Sequence, residues 1–326
     1  METLGWALLG TGNIVKKFLI GLRSTEGVGK IGVVSRQRDR AISFALKYGL
    51  DQGYAGLEEA LVDPAIHIIY IGTPHPSHKE YALRALKAGK AVLCEKPVCM
   101  NRFEMQEIHD AAYANNAFFM EAMWTRFMPA VRKAQEWIQQ GQLGAIRLVQ
   151  ANFGFTAPWD PAGRLLTPHL GGGALLDAGI YPLSLAFMVY GGVPPEQTHT
   201  MMHIGETKVD ELVCCELSFG SQKMAQISAA IRTNMTNTAW IYGENGHICL
   251  PDFVFGRSAS LTLDGKFTQT YSPDVIGNGY GYEAEEVMRC VREGRISSSI
   301  MSITESLAIL TTMDQLREQG GLQYPD

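Results

Sequence analysis

The chain has 326 residues, 46% of them hydrophobic and 19% charged, and a formal net charge of −5. That length exceeds one typical domain of roughly 100–150 residues, so two domains with separate cores are expected, and the apolar share argues against disorder. The mildly acidic balance gives no basic footprint for nucleic acid or an anionic membrane surface. No apolar run approaches the roughly 18 residues of a bilayer span, and no basic stretch leads into an apolar core at Met1–Trp6. A cytoplasmic protein with no membrane or nucleic-acid partner is therefore expected. The six cysteines (Cys94, Cys99, Cys214, Cys215, Cys249, Cys290) include no CxxC pair and read as free thiols of a reducing compartment.

A short apolar run at residues 5–9 leads at once into Gly10-Thr11-Gly12-Asn13, the signature of a buried strand turning into a helix. Strands at 31–35, 66–71, 91–94 and 117–120 then alternate with helices near 14–23, 38–48, 57–62, 78–88 and 101–115. Parallel strands need long crossovers and bury both faces, so this rhythm predicts an α/β domain over 1–121: a Rossmann, doubly wound parallel sheet. After residue 122 the pattern changes to a helix near 128–140, a strand near 146–155, the turn Gly171-Gly172-Gly173 and a helix over 174–190. Strand-like runs follow at 197–204, 209–219, 223–232, 237–242, 246–250, 259–263 and 267–271, separated by turns such as Phe-Gly-Ser-Gln at 219–222. Helices near 280–293 and 303–319 close the chain. Successive strands with short turns predict a C-terminal α+β domain, 122–326, with a large, mainly antiparallel open sheet.

The strand-to-helix glycines carry the first chemical signal. Gly10 permits the tight turn, and Gly12 lets backbone N–H groups of Asn13 and Ile14 approach a pyrophosphate at the positive end of the helix dipole. The third glycine of the GxGxxG pattern is replaced by Val15. At the end of the second strand, an acid would hold a ribose 2′-hydroxyl, whereas an arginine accommodates a 2′-phosphate. This chain has Ser35-Arg36-Gln37-Arg38-Asp39-Arg40 there. Arg36, which can pair bidentately with phosphate and stack on adenine, supported by Arg40, favours NADP over NAD.

Two strand ends point to the reacting end of the cofactor, because open parallel sheets bind ligands at the carboxyl ends of their strands. Strand four ends in Cys94-Glu95-Lys96-Pro97, with Lys96 held by the following proline. The third strand candidate ends in Gly72-Thr73-Pro74-His75-Pro76-Ser77-His78, which places Thr73, Pro74, His75 and His78 along the cofactor pocket. His75 and His78 lack a nearby carboxylate or cysteine to complete a zinc set of three or four ligands, so no metal is expected. In the second half, Asp177 and Tyr181 are four apart and share one helix face, where both can address one ligand.

The stretches Gly-Thr-Gly-Asn-Ile, Glu95-Lys96-Pro97 and Asp177-x-Gly-x-Tyr181 together resemble the Gfo/Idh/MocA family of glucose-fructose oxidoreductase, inositol dehydrogenase and rhizopine-catabolism proteins. The pattern spans the whole chain. Residues 92–97, 120–127 and 172–181 look like the branch that contains dimeric dihydrodiol dehydrogenase and NADP-dependent D-xylose dehydrogenase, in which tyrosine stands at position 181. The resemblance implies hydride exchange with a small carbohydrate-like or diol substrate and a homodimer built on the C-terminal sheet. It implies Tyr181 as acid/base, Lys96 as its electrostatic partner and Asp177 as an orienting carboxylate; Lys96 as the proton carrier is the alternative assignment. Trp124 and Arg126 are expected over the nicotinamide. Trp124, Phe127, Phe153, Phe155, Trp159 and His169 are the candidate substrate wall. A non-catalytic NADP-binding regulator of the same fold is the competing reading.

Overall fold

The computed structural model describes residues 3–220 and 222–325; Ser221, within the turn expected at 219–222, lies outside them, as do residues 1, 2 and 326. In chain order the first elements are β1 (Leu4–Leu9), α1 (Asn13–Arg23), β2 (Val28–Ser35), α2 (Arg38–Tyr48), β3 (Gln52–Ala55) and α3 (Leu57–Leu61). Then come β4 (Ile68–Ile71), α4 (His78–Lys87), β5 (Ala91–Glu95), α5 (Arg102–Ala114) and β6 (Phe119–Ala122). The second half runs α6 (Pro129–Gln139), β7 (Ile146–Gly154), a π-helical turn at Leu175–Gly179, α7 (Ile180–Val189), β8 (Gln197–Ile204), β9 (Asp210–Ser218) and β10 (Met224–Ala230). It closes with β11 (Ala239–Gly243), β12 (Gly246–Leu250), β13 (Ala259–Leu263), β14 (Lys266–Tyr271), α8 (Gly281–Arg292) and α9 (Ile303–Gly320).

Two compact units emerge, Met1–Trp124 with Ile276–Ser306, and Thr125–Val275 with Leu307–Asp326. The split near residue 124 lies close to the expected boundary at 121/122, but residues 276–306 return to the first unit rather than staying with the second. Close backbone approach explains the return: a Cβ on Gly21 of α1 would stand 2.6 Å from the Gly281 nitrogen of α8. Asn278 Nδ2 also donates to the Lys17 carbonyl at 2.8 Å, and the Phe119 N–H to the Ile296 carbonyl at 3.1 Å. Neither hydrophobic periodicity nor helix length announces such a long-range return.

The first unit is built on a six-stranded sheet of order β3-β2-β1-β4-β5-β6, parallel throughout. Strands β1, β4 and β5 and the edge strand β6 are buried at every residue, as expected of strands covered on both faces. The edge strand β3, Gln-Gly-Tyr-Ala, has too little apolar character to read as a strand. Strand order reverses at β1, which pairs with both β2 and β4, so the loops after β1 and β4 flank the switch point where open α/β sheets bind ligands.

The second unit carries an eight-stranded sheet of order β14-β13-β12-β11-β7-β10-β9-β8, antiparallel except for the β7–β10 pair. One face is apolar and buried (Val149, Ile241, Ile248, Ala225, Ile227, Leu217, Leu261) and packs against α6 and α7. Pro168–Val189, a 22-residue stretch in which a 3-10 turn at Pro168–Leu170 and three glycines precede the helix proper, is long and apolar enough by length and composition to cross a membrane. The count of uninterrupted apolar residues overlooks it. The segment is almost wholly buried, with α7 lying on β7 and β10 as a core helix.

Candidate active site

At the nucleotide end, Gly12 precedes α1 with an extended backbone and no side-chain cap, and a Cβ built there would meet nothing within 4 Å. Protein packing does not require this glycine, and space is left against the first-turn N–H groups of α1, where a pyrophosphate fits. No acid stands in that first turn to repel an anion. Val15, in place of the third glycine, is fully buried, and its Cγ2 would lie 2.7 Å from a Cβ on residue 72. Gly72 thus makes room for the branched side chain, and the departure from the fingerprint is absorbed below the loop.

The arginine cluster after β2 is not uniform. Arg38 pairs with Glu59 across the surface. Arg36 and Arg40 are exposed and make no hydrogen bond or ion pair among the described residues, while Ser35 Oγ accepts from the Gln37 N–H at 3.3 Å. Two guanidinium groups at the end of the second strand are therefore available to an anionic ligand without breaking an internal contact.

Lys96 stands on a loop held by buried polar side chains, and the Lys96–Pro97 peptide is cis. Glu95 accepts from the Tyr70 hydroxyl at 2.6 Å and from the Lys96 N–H at 3.3 Å. Glu121 accepts from the Val98 N–H at 3.2 Å and from the Ser306 hydroxyl at 2.8 Å. His78, expected to line the pocket, is fully buried instead: Nδ1 faces the Pro97 and Val98 carbonyls at 3.1 and 3.2 Å, and Nε2 the Thr73 carbonyl at 2.7 Å. Burial pushes its pKa down although all three carbonyls favour the charged ring. The ring clamps the two strand-end loops together, because it sits at the first residue of α4 and is directed inward. His75, also buried, meets it edge-on with ring centroids 5.7 Å apart. Thr73 accepts from the Ser77 hydroxyl at 2.8 Å, which fixes the loop that Pro74 leads.

Trp124 is buried and stacks on Tyr280 at 4.6 Å with the rings 12° apart. Tyr280, in the stretch Ile276-Gly-Asn-Gly-Tyr-Gly281, was not singled out from sequence; an aromatic between glycines was the available signal. Arg126, expected over the nicotinamide, is 2% exposed within the second unit, where Nε donates to the Ser184 hydroxyl and Nη2 to its carbonyl, both at 2.7 Å. Its single-turn 3-10 segment, Trp124–Phe127, directs it towards α7, and Phe127 is buried beside it in sequence.

In the second unit Asp177 lies within the π-helical turn and Tyr181 in the first turn of α7, both largely buried. π-turns inside helices concentrate at functional sites. Asp177 Oδ1 accepts from Arg164 Nη2 at 2.9 Å, a partner the sequence did not announce. Tyr181 meets Phe153 edge-on at 5.4 Å, and Phe153 lies 5.9 Å from Phe155, so three of the expected residues form one aromatic group. Trp159 and His169 are exposed; Trp159 lies under the Arg232 guanidinium at 5.4 Å rather than joining that group. No group of three or more His, Cys, Asp or Glu that could hold a metal occurs among the described residues.

Residues 4–123 match the profile of the oxidoreductase family with an NAD-binding Rossmann fold, and residues 131–249 match the GFO/IDH/MocA C-terminal domain. The trans-1,2-dihydrobenzene-1,2-diol dehydrogenase of Danio rerio is 37% identical, with 98% of each chain covered. Among solved structures, levoglucosan dehydrogenase in complex with NADH and levoglucosan superposes with a TM-score of 0.87 at 21% identity over 98% of both chains. KijD10, a 3-ketoreductase from Actinomadura kijaniata in complex with NADP and TDP-benzene, gives 0.85 at 22% identity over 98% of both. The chain belongs to the GFO/IDH/MocA family and is an NAD(P)-dependent dehydrogenase.

Proposed function

We propose that this enzyme uses NADP in preference to NAD and interconverts a CH–OH and a C=O group on a small sugar-like or dihydrodiol substrate. The observation that carries the cofactor choice is the pair of exposed guanidinium groups of Arg36 and Arg40 beside Ser35, without a partner among the described residues, in a position where an acid would be needed for a free ribose hydroxyl. Gly10, Gly12, Asn13 and Ile14 would hold the pyrophosphate. Thr73, Pro74, His75, Glu95, Lys96, Pro97 and Trp124 are the candidates for the nicotinamide end. When bound, the cofactor supplies the hydride donor or acceptor.

The protein's own residues manage the proton. Tyr181 Oη takes the hydroxyl proton during oxidation and returns it during reduction. A phenol with a free pKa of about 10 is a weak base at neutral pH, and the Lys96 ammonium favours its phenolate. Asp177, held by Arg164, orients substrate hydroxyls. The substrate class is supported by the trans-1,2-dihydrobenzene-1,2-diol dehydrogenase and the levoglucosan dehydrogenase among the relatives and neighbours, and the aromatic group of Phe153, Phe155 and Tyr181 suits both sugar C–H surfaces and a diol ring.

Cofactor absorbance during a screen of aldoses, deoxy-keto sugars and trans-dihydrodiols, with NADP and NAD in parallel, tests this reading. Lys96→Met and Tyr181→Phe should each lower kcat by roughly 10²-fold or more with NADP binding retained. Near-normal turnover in both variants overturns the site assignment.

We also propose a homodimer through the open face of the second sheet. There Trp240, Gln150, Gln226 and Glu216 stand in one cross-strand row, with Gln150 Nε2 donating to Gln226 Oε1 at 2.7 Å. They line a shallow groove of about 910 Å³, and Met201 on the same groove is 79% exposed. An apolar and amide-rich face of this kind suits a second copy of itself.

A further inference from the structure

The helical segment that bears Asp177 and Tyr181 begins at a turn of three glycines, with nothing in its own sequence to cap it: Ala174 at the N-cap position offers no side-chain acceptor. The cap comes from 35 residues downstream. Asp210, the first residue of β9, is fully buried, and its Oδ2 accepts from the Leu175 N–H at 2.6 Å. Its other oxygen, Oδ1, has no hydrogen-bond partner among the described residues. Gly173 has φ +116°, and a Cβ there would overlap Asp210 Oδ1 and stand 3.0 Å from the Tyr324 hydroxyl. Tyr324 in turn donates to the Gly172 carbonyl and lies under the Arg317 guanidinium at 5.2 Å. The glycine turn is thus shaped around one buried carboxyl.

We propose that Asp210 is a positioning residue for the reaction, its carboxyl fixing the start of the helical segment from which Asp177 and Tyr181 project. The proposal rests on the roles assigned above to those two residues. Asp210 touches neither substrate nor cofactor in this scheme; it sets where the segment begins by holding the Leu175 N–H.

The groups that face Asp210 give the arrangement a pH dependence. Burial pushes its pKa up to about 7, against the backbone N–H groups of Leu175, Asp210 and Ala174 and the Arg317 guanidinium of α9, which favour the anion. The Tyr324 phenol and the Cys215 thiol, both raised by burial and by Asp210 itself, stay neutral and add no compensating charge. A carboxyl raised from about 4 to about 7 keeps its proton in the closed arrangement and loses it once exposed to water, so opening of the helix start is favoured progressively as pH rises from about 4 to about 7 and no further above that.

Asp210→Ala and Asp210→Asn, made in the full chain, separate the outcomes. Hydrogen exchange of the segment 174–181, read by mass spectrometry, should quicken roughly tenfold or more in Asp210→Ala, and kcat should fall by a similar factor while NADP binding is kept. Asn retains an acceptor without the ionisable proton, so Asp210→Asn should recover both within about threefold. Between pH 5 and 9 the ratio of wild-type to Asp210→Asn kcat should fall up to about pH 7 and level off above it. Wild-type exchange and turnover in Asp210→Ala, or a ratio that does not move with pH, overturns the proposal. Exchange is read without turnover, so full activity of Tyr181→Phe would sink the role of Tyr181 and leave the exchange result to judge Asp210 separately; should Asp210→Ala fail to fold, Asp210→Asn and its pH ratio decide.

Discussion

Arg36 offers the sharpest test of cofactor choice, because three arginines lie within five residues and, among the described residues, Arg38 has an ion-pair partner while Arg36 and Arg40 have none. A charge-assisted hydrogen bond is worth about 1.5–3 kcal/mol, and solvent exposure with salt screening brings an accessible guanidinium towards the lower end. At 1.4 kcal/mol per decade, Arg36→Ala should therefore lower the ratio of kcat/KM for NADP to that for NAD by about ten- to thirtyfold. The NAD value itself should change little, since a free ribose hydroxyl has no use for the charge. Arg36→Ala/Arg40→Ala should lose more than either single variant but less than their product, because both groups would share one phosphate. Arg38→Ala is the internal control: its guanidinium is engaged by Glu59 at the surface, so a small stability change of about 0–1 kcal/mol and an unaltered ratio are expected. Initial rates at fixed ionic strength for both cofactors supply the numbers. An unchanged ratio in the double variant, or a larger effect from Arg38→Ala than from Arg36→Ala, refutes the reasoning; a wild-type ratio below one refutes the choice of NADP outright.

Glu283 in the first turn of α8 is fully buried, and neither carboxyl oxygen has a hydrogen-bond partner among the described residues. Burial first, and the charge of Glu95 second, push its pKa well above the usual carboxylate range. The folded chain then keeps a proton that the unfolded chain releases above about pH 4.3, so this contribution is present at low pH and lost as pH rises. Relative to Glu283→Gln, the wild-type unfolding constant should grow by up to about tenfold per pH unit above that point, and a Tm difference that stays flat from pH 4 to 8 would contradict it. On the open sheet face, Trp240→Glu should convert a dimer to a monomer in sedimentation at micromolar concentration. A monomeric wild type, or a dimeric variant, rejects that interface.

The alternation of apolar runs and helices located nearly every element, because burial of a strand on both faces leaves a continuous apolar run whatever surrounds it. Two departures have one physical origin. β3 is a four-residue edge strand, held by its neighbour β2 rather than by its own side chains, and the parallel β7–β10 pair follows from sheet order rather than from either strand's composition. The return of residues 276–306 to the first unit likewise depends on Gly21 meeting Gly281, a contact between residues that periodicity treats separately.

The candidate site residues divide by the same criterion. Gly12, Arg36, Lys96, Asp177 and Tyr181 can be named from sequence because their chemistry is expressed next to a strand end or along one helix face. Their supports cannot. The Lys96 loop is tied to His78 and Glu121, 20 and 23 residues away from Val98, and Glu121 reaches Ser306, a further 185 residues along. The Asp177 segment is tied to Asp210, 35 residues from Leu175. In both places a buried polar side chain satisfies backbone groups at the foot of a projecting residue, where an unmet donor or acceptor would cost about 1–3 kcal/mol. This explains why His78, a histidine beside a strand end and thus easily taken for a ligand contact, faces inward: the loop needs a partner for its carbonyls more than the pocket needs another wall. Arg126 follows the same logic at Ser184. Polar residues of the candidate site therefore sort by whether local backbone groups already claim them, and those left unclaimed among the described residues, Arg36 and Arg40 foremost, are the ones available to a ligand.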